Sequence, residues 1–300
     1  MQEAKGISVI VLTYKHSKYI GQCLEGICAQ QYKGPLQVLV ADDASPDDTL
    51  AQVQAYAKKD GRIEVLAQAT NLGVAHNFEA ALKRCIHPYI AFCEGDDYWT
   101  DPDKIRAQAA LLDARPEVSM VYTNYARVNG HGEVHSHSSL GEQVAQFGLE
   151  DLLFSNGPST NTVMVRREAL PSTFPTAFYT VPNPDVFLFA WALIHGKCAY
   201  IDKVCSAYRL HEDGVWSSRS ALEQKLIRLS TRLQVLKSLK APVTNLFQER
   251  LQAELLLYLG NNGIDNPLLF SKFSPFLSPT QRFNLRWKHA WIRLRKKYNS

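Results

Sequence analysis

The apolar positions of this chain fall first into short continuous runs and later into helical stripes. Ile7-Ser8-Val9-Ile10-Val11-Leu12-Thr13, Leu36-Gln37-Val38-Leu39-Val40-Ala41, Ile63-Glu64-Val65-Leu66 and Tyr89-Ile90-Ala91-Phe92-Cys93 are mostly β-branched or apolar, as strands covered on both faces should be. Helical segments alternate with them. One has Tyr19, Ile20, Cys23, Leu24, Ile27 and Cys28 on a face, with Ser17 as its cap. A second opens at Pro46-Asp47-Asp48-Thr49 and runs to about Lys59, and a third carries Val74, Phe78, Ala81, Leu82 and Cys85 after the turn Asn71-Leu72-Gly73. The alternation predicts an α/β fold, a mostly parallel sheet flanked by helices with right-handed crossovers.

The pattern then loosens. A helix is expected from Pro102, with Asp101 as its cap, and a strand over Val118–Tyr122. Residues 129–148 read as a polar, glycine-bearing loop, Leu149–Phe154 as a short helix and Asn161–Arg166 as strand-like. A helix begins at Asp185 with Phe187, Ala190, Trp191 and Ile194 on one face, and two strands follow at 199–202 and 204–209. Two helices occupy 221–260, parted at Lys240-Ala241-Pro242, with leucine stripes that mark packing faces. These divisions suggest a sheet domain over 1–220, a helical extension over 221–281 and a terminal helix over 282–300.

Charge sharpens the picture of that last segment. The chain has 300 residues and a net charge of +4, yet seven Lys/Arg and no acid lie within 282–297. The remainder holds 26 basic against 29 acidic residues, a net of −3, so no nucleic-acid-binding surface is implied. Phe283, Trp287, Trp291, Leu294 and Tyr298 recur at helical spacing among those cations. Such a helix suits an anionic membrane surface over 282–298, or docks on the body with its basic face in water. Six Cys without a C-x-x-C pair read as reduced core thiols, and neither a signal peptide nor an uninterrupted membrane-spanning run is visible. The expected setting is cytoplasmic, with peripheral attachment to the cytoplasmic face of a membrane as its extension.

The chemistry lies at the strand ends. Glu94, Asp96 and Asp97 follow the strand at 89–93 directly, and ligands of open α/β sheets bind just past such carboxyl ends. Clustered carboxylates need a cation between them, and oxygen-rich sets suit Mg²⁺ or Mn²⁺ shared with substrate phosphates. An acidic turn capping the next helix is the plainer reading, but Asp101 already fills that position. Asp42-Asp43 ends the second strand in the same way, placed to accept from a base imide or a ribose hydroxyl. A dinucleotide-binding enzyme would carry Gly-x-Gly-x-x-Gly after its first strand; Thr13-Tyr14-Lys15-His16-Ser17 stands there instead. His131, His135 and His137 could form a metal site, but they lack a helix or an acid in register and read as solvated loop.

Taken in order, Val-Ile-Val-Leu-Thr-Tyr, Val-Ala-Asp-Asp-Ala-Ser-Pro-Asp-Asp-Thr, Asn-Leu-Gly and Glu-Gly-Asp-Asp-Tyr-Trp resemble family 2 glycosyltransferases over roughly residues 6–115. The resemblance implies a GT-A, Rossmann-like fold and an inverting transfer of a hexosyl or N-acetylhexosaminyl group. The donor would be a nucleoside diphosphate sugar, a UDP-sugar by preference, and the acceptor a glycan or a lipid-linked sugar of surface polysaccharide synthesis. It further implies that Thr13 and Tyr14 line the base pocket, and that Asp42, Asp43 and Asn71 contact the nucleotide. Glu94 stands where the family usually has the first Asp of Asp-x-Asp, and its longer arm departs from that form. Asp96 takes the metal, Mn²⁺ or Mg²⁺, followed by Asp97. Tyr208-Arg209-Leu210-His211 resembles the segment that closes over the diphosphate, with His211 on the metal or phosphate and Arg209 as a nearby charge partner. Asp185 occupies the place of the base; from the residues alone it is a first-turn helix acid. A nucleotidyltransferase or a non-catalytic nucleotide-sugar-binding scaffold are the alternatives. The first should carry a Gly-rich phosphate loop after its first strand; the second would not need Asp96 or Asp185.

Overall fold

The structure is a computed structural model, and it describes residues 4–137, 147–154, 157–214, 216–239, 249–257, 277–281 and 283–284. The chain divides into two units: Met1–Phe174 with Phe187–Ser218, and Pro175–Val186 with Arg219–Ser300.

The first unit opens with the expected alternation: β1 (Ile7–Thr13), α1 (Ile20–Cys28), β2 (Leu36–Asp42), α2 (Thr49–Ala57), β3 (Ile63–Ala67), α3 (Val74–Arg84) and β4 (Tyr89–Glu94). β1 lies between β2 and β4 and parallel to both, and β3 pairs parallel with β2. The apolar runs explain this. Ile7, Val9, Val11, Val38, Val40, Ala91 and Cys93 belong to one buried cluster, joined by Ile20, Cys23, Leu24 and Ile27 of α1. Burying a strand on both faces rewards continuous apolar sequence, and these strands have it.

Beyond β4 the sheet changes character. β5 (Tyr98–Trp99), α4 (Lys104–Ala114), β6 (Val118–Asn129) and β7 (Val134–His137) come next. They are followed by α5 (Leu149–Phe154), a 3-10 turn at Thr160–Thr162, β8 (Met164–Arg166), α7 (Asp185–His195) and β9 (Lys197–Leu210). Among the described residues the sheet has nine strands in the order β3-β2-β1-β4-β8-β6-β9-β5, with β7 beside β6. β8 is antiparallel to β4 and β6, and β5 to β9, while β6 and β9 run parallel. The sheet is thus parallel on one side of β4 and mixed on the other, flanked by helices.

Several local expectations shift. The helix expected from Pro102 starts at Lys104, after a turn in which Asp101 accepts from the Asp103 N–H and pairs with Lys203 at 2.6 Å. The strand read over Asn161–Arg166 begins only at Met164, and Asn161 sits in the 3-10 turn. The loop read at 129–148 contains β7. The two strands at 199–202 and 204–209 are one strand, β9, with register shifts against β6. On α7, Phe187 and Ala190 are buried as expected, but Ile194 is 41% exposed.

In the second unit, α6 (Thr176–Thr180) and α8 (Ala221–Leu239) are helical, as are residues 249–257. α8 buries Leu226, Leu229, Leu233 and Leu236, and Lys225 pairs with Glu254 at 3.4 Å. The basic, aromatic stretch at 282–298 lies almost wholly outside the described residues.

Candidate active site

Register brings the chemistry together. Thr13 stands opposite Asp42 across β1–β2, and Leu12 opposite Glu94 across β1–β4. The loops after β1, β2 and β4 therefore leave the sheet at one edge. Among the described residues, the non-glycine positions with positive φ are Lys15 at 60° and Ala44 at 59°, one in each of the first two loops. Such conformations are uncommon outside glycine and cluster where backbone is held for a purpose. Lys15 N–H donates to Ser45 Oγ at 3.0 Å, tying the two loops to each other.

The third loop is shaped by Gly95. Its N–H donates to Leu12 O at 2.8 Å, and Asp97 N–H to Glu94 O at 3.0 Å. A side chain at Gly95 would put its Cβ 2.7 Å from Thr13 Oγ1 and 2.8 Å from His16 Nδ1. The tight turn aims the two acids that follow in opposite directions.

Asp96 faces the loops. Its Oδ2 lies 3.1 Å from His211 Nε2 and 3.7 Å from His16 Nε2. The Nδ1 atoms of both imidazoles and Thr13 Oγ1 are buried without a hydrogen-bond partner among the described residues. Burial alone would raise the Asp96 carboxyl, but the His211 hydrogen bond and the His16 charge outweigh it and hold the group low. Burial pulls the His16 imidazole down, opposed by the Asp96 charge.

Asp97 faces inward and is 2% exposed. Its Oδ1 accepts from Arg209 N–H and its Oδ2 from Asn161 Nδ2, each at 2.8 Å. Burial first, then the charges of Asp96 and Glu94, push its carboxyl well above the usual range. Asp97, expected beside Asp96 as a metal ligand, thus has a hydrogen bond within the protein on each oxygen. Arg209, expected near the diphosphate, is likewise engaged within the protein. It is 3% exposed, donates from Nε to Asp96 O and from Nη2 to Gln22 Oε1, and lies between the Tyr19 and Tyr98 rings at 4.7 and 5.2 Å. These contacts hold the turn that carries Asp96.

The acids after β2 are also committed internally. Asp42 is fully buried, and its two oxygens take the Ser45 N–H and hydroxyl at 3.0 and 2.6 Å. Asp43 accepts from Leu72 N–H at 2.7 Å and Gly73 N–H at 2.9 Å, just before α3, while Asn71 Nδ2 donates to Asp43 O at 3.2 Å. A carboxylate at a helix start is favoured by the backbone donors there, and Gly73, with φ 81°, supplies the turn. The Asp-Asp and Asn-Leu-Gly segments are thus two halves of one backbone tie. Thr13 and Tyr14 sit at the edge, Tyr14 with 37% exposure.

His16, Tyr19 and Asn161 were not legible as site residues. Tyr19, read as part of an apolar helix face, packs its ring 4.8 Å from that of His211. Asp185, the expected base, begins α7 as a half-buried first-turn acid and belongs to the second unit. His131, His135 and His137 are exposed, the last two on β7. Among the described residues no group of three or more His, Cys, Asp or Glu is arranged to hold a metal ion.

The site is a carboxylate–imidazole pair at the carboxyl edge of the parallel half of a mixed α/β sheet, and comparison with known proteins gives its class. Residues 8–173 match the model of glycosyl transferase family 2, and the chain belongs to that family. An uncharacterised protein of Mycobacterium tuberculosis (strain ATCC 25618 / H37Rv) is 30% identical over 213 residues, 71% of this chain and 61% of that one. The chain thus spans about 61% of the length of the first such relatives. The Escherichia coli UDP-Glc:alpha-D-GlcNAc-diphosphoundecaprenol beta-1,3-glucosyltransferase WfgD is 28% identical over 217 residues, 71% of this chain and 80% of that one. Among solved structures, S. aureus TarS 1-349 in complex with UDP-GlcNAc superposes with a TM-score of 0.62 at 20% identity, covering 93% of this chain and 79% of that one. The mannosyltransferase PcManGT from Pyrobaculum calidifontis, in complex with GDP-Man and Mn²⁺, gives 0.58 at 19%, covering 98% and 81%. The fold is the GT-A α/β fold.

Proposed function

We propose that this protein transfers a sugar from a nucleoside diphosphate sugar to a hydroxyl of a glycan or lipid-linked acceptor in the synthesis of a bacterial-type surface polysaccharide. Family membership supports the class, and relatives that include a diphosphoundecaprenol-directed glucosyltransferase and a teichuronic acid glycosyltransferase support the acceptor type. UDP is the favoured carrier, as in the donor of WfgD and the ligand of TarS. The observation that carries the reading is Asp96, whose partly exposed carboxylate meets His211 at the edge where β1, β2 and β4 end.

That pair fits a divalent cation of the Mn²⁺ type, since a carboxylate and an imidazole are its usual protein donors and substrate phosphates complete the set. A cation bound there neutralises charge developing on the departing diphosphate. Asp96 and His211 would hold it, Thr13 and Tyr14 would line the base, and Arg209 keeps the Asp96 carbonyl in place. Asp185 takes the proton from the acceptor hydroxyl, in one direct displacement with inversion. The basic segment 282–298 would bring the enzyme to an anionic membrane from the cytoplasmic side. No helix among the described residues is long and apolar enough to cross one.

The test is release of nucleoside diphosphate from a panel of nucleotide-sugars, with Mn²⁺ and with chelator. Mn²⁺-dependent release from one or two donors, lost in Asp96→Ala and Asp185→Asn, is expected. Equal release in chelator would remove the cation from the reading. An Asp96→Ala protein with unchanged turnover would remove the site.

A further inference from the structure

Asn161 has no role in the transfer as derived above, and its sequence surroundings look like an ordinary strand. Yet it is fully buried, and its two ends are held by different parts of the sheet. Its backbone carbonyl accepts from Trp99 Nε1 at 2.9 Å and from Ser206 Oγ at 3.0 Å. Its side-chain Nδ2 donates to Asp97 Oδ2 at 2.8 Å and to Ala207 O at 3.1 Å. The 3-10 turn at Thr160–Thr162 is thereby fastened to β5 and β9 and presents one fixed donor to the acid beside Asp96.

The other Asp97 oxygen is held as firmly. It accepts from the N–H of Arg209, whose Nε donates to the carbonyl of Asp96. Asp96 therefore has its backbone gripped on one side by Arg209 and on the next residue by Asn161. A ligand's support of this kind sets where its carboxylate sits without touching the ion.

We propose that Asp97 and Asn161 are positioning residues that fix the Asp96 carboxylate for the cation of the nucleotide complex. The proposal rests on the glycosyltransferase reading. It also gives the second aspartate a role: its carboxylate is the internal strut of the turn, and Asn161 is the donor that meets it.

The polarity of the pair provides the test. Asn161→Ala removes the donor, and Asp97→Asn leaves a single acceptor oxygen for two donors, the Asn161 amide and the Arg209 N–H. The combined exchange Asp97→Asn with Asn161→Asp restores a donor–acceptor pair in the opposite sense. Each protein is titrated calorimetrically with UDP and with GDP, in Mn²⁺ and in chelator, with circular dichroism and thermal unfolding in parallel. In the single variants the gain in nucleotide affinity that Mn²⁺ confers should fall about 10- to 100-fold, the usual effect of losing a ligand's support. Metal-free nucleotide binding should not change, and the double variant should recover part of the loss. An Asn161→Ala protein with the full Mn²⁺ effect overturns the proposal, as does equal loss of metal-free and metal-dependent binding. If Asn161→Ala does not fold, the exchange decides, since it must retain Mn²⁺-dependent binding that Asp97→Asn loses. Wild-type protein without Mn²⁺-dependent binding of either nucleotide and without turnover overturns the functional reading together with the proposal.

Discussion

His211 Nε2 stands 3.1 Å from Asp96 Oδ2, although 115 residues separate them. His211 is carried to the site by the end of β9, and Asp96 by the turn after β4. Substituting His211 by Ala should raise the Mn²⁺ concentration for half-maximal turnover by at least ~10-fold, as loss of a close metal partner does. The nucleotide-sugar KM at saturating Mn²⁺ should change less. Product release measured against a Mn²⁺ series separates the two, and an unaltered Mn²⁺ curve would exclude His211 from the cation's surroundings.

Gly95 is required by space, not by backbone angle. A methyl group there would approach Thr13 Oγ1 and His16 Nδ1 to 2.7 and 2.8 Å, inside ordinary contact distance. At that distance Thr13, His16 or the turn itself must move, and Asp96 moves with the turn. Misplacing a reacting group by about an ångström can cost ~100-fold in rate, so Gly95→Ala should lose most of its kcat while its thermal midpoint falls by only a few degrees. Steady-state kinetics beside a melting curve checks this. Full activity in Gly95→Ala would show that the turn tolerates the shift.

Much of this arrangement can be read from the residues, and the part that cannot has a physical cause. β1, β2 and β4 are legible because strands covered on both faces demand unbroken apolar sequence. Asp96 is legible because an acid just past such a strand, with the nearby helix already supplied with its own, needs another reason to be there. The inward face of Asp97 is not legible: sequence shows two aspartates alike, and only the packed turn sets them apart. The internal partners of Asp42 and Asp43 are hidden for a related reason. The partners of Asp43 are N–H groups of Leu72 and Gly73, about thirty residues on, and backbone donors leave no mark in a sequence. Asn161 is hidden because it opens the strand-like stretch Thr162-Val163-Met164-Val165, and His16 by lying in a loop with no periodicity.

Lys104 predicts a pH effect on stability. It is fully buried, with Nζ 3.0 Å from Gln108 Oε1 and 4.2 Å from the centre of the Trp99 ring. Burial pulls its pKa down to about 8 from 10.5. Between those values the unfolded chain holds a proton that the folded chain has released, so this residue makes stability rise with pH across that window. Below pH 8 the cost of burying the charge is fully present, of order 3 kcal/mol on the linkage relation. Lys104→Met lacks the titration but also the contacts with Gln108 and Trp99. Its stability relative to wild type should therefore decline by up to that amount from neutral pH to about pH 10.5. Urea unfolding of both proteins along a pH series measures the difference, and parallel curves would refute it.

Arg209 separates support from substrate contact. Its guanidinium donates to the carbonyls of Asp96 and Gly130 and to Gln22 Oε1, and it lies between the rings of Tyr19 and Tyr98. Lysine keeps the charge but has neither the planar face nor the forked donors. Hydrogen bonds from charged groups are each worth about 1.5–3 kcal/mol net, so Arg209→Lys should destabilise the fold by about 2–3 kcal/mol through the acceptors it leaves unmet. The damage should appear first in denaturant unfolding. In chelator, nucleotide affinity measured well below the unfolding midpoint should stay near wild type, because the residue faces the turn and not the diphosphate. A stable Arg209→Lys protein with sharply weakened metal-free nucleotide binding would reverse this assignment and return Arg209 to the substrate, since only direct contact with the phosphates could weaken binding while leaving the turn intact.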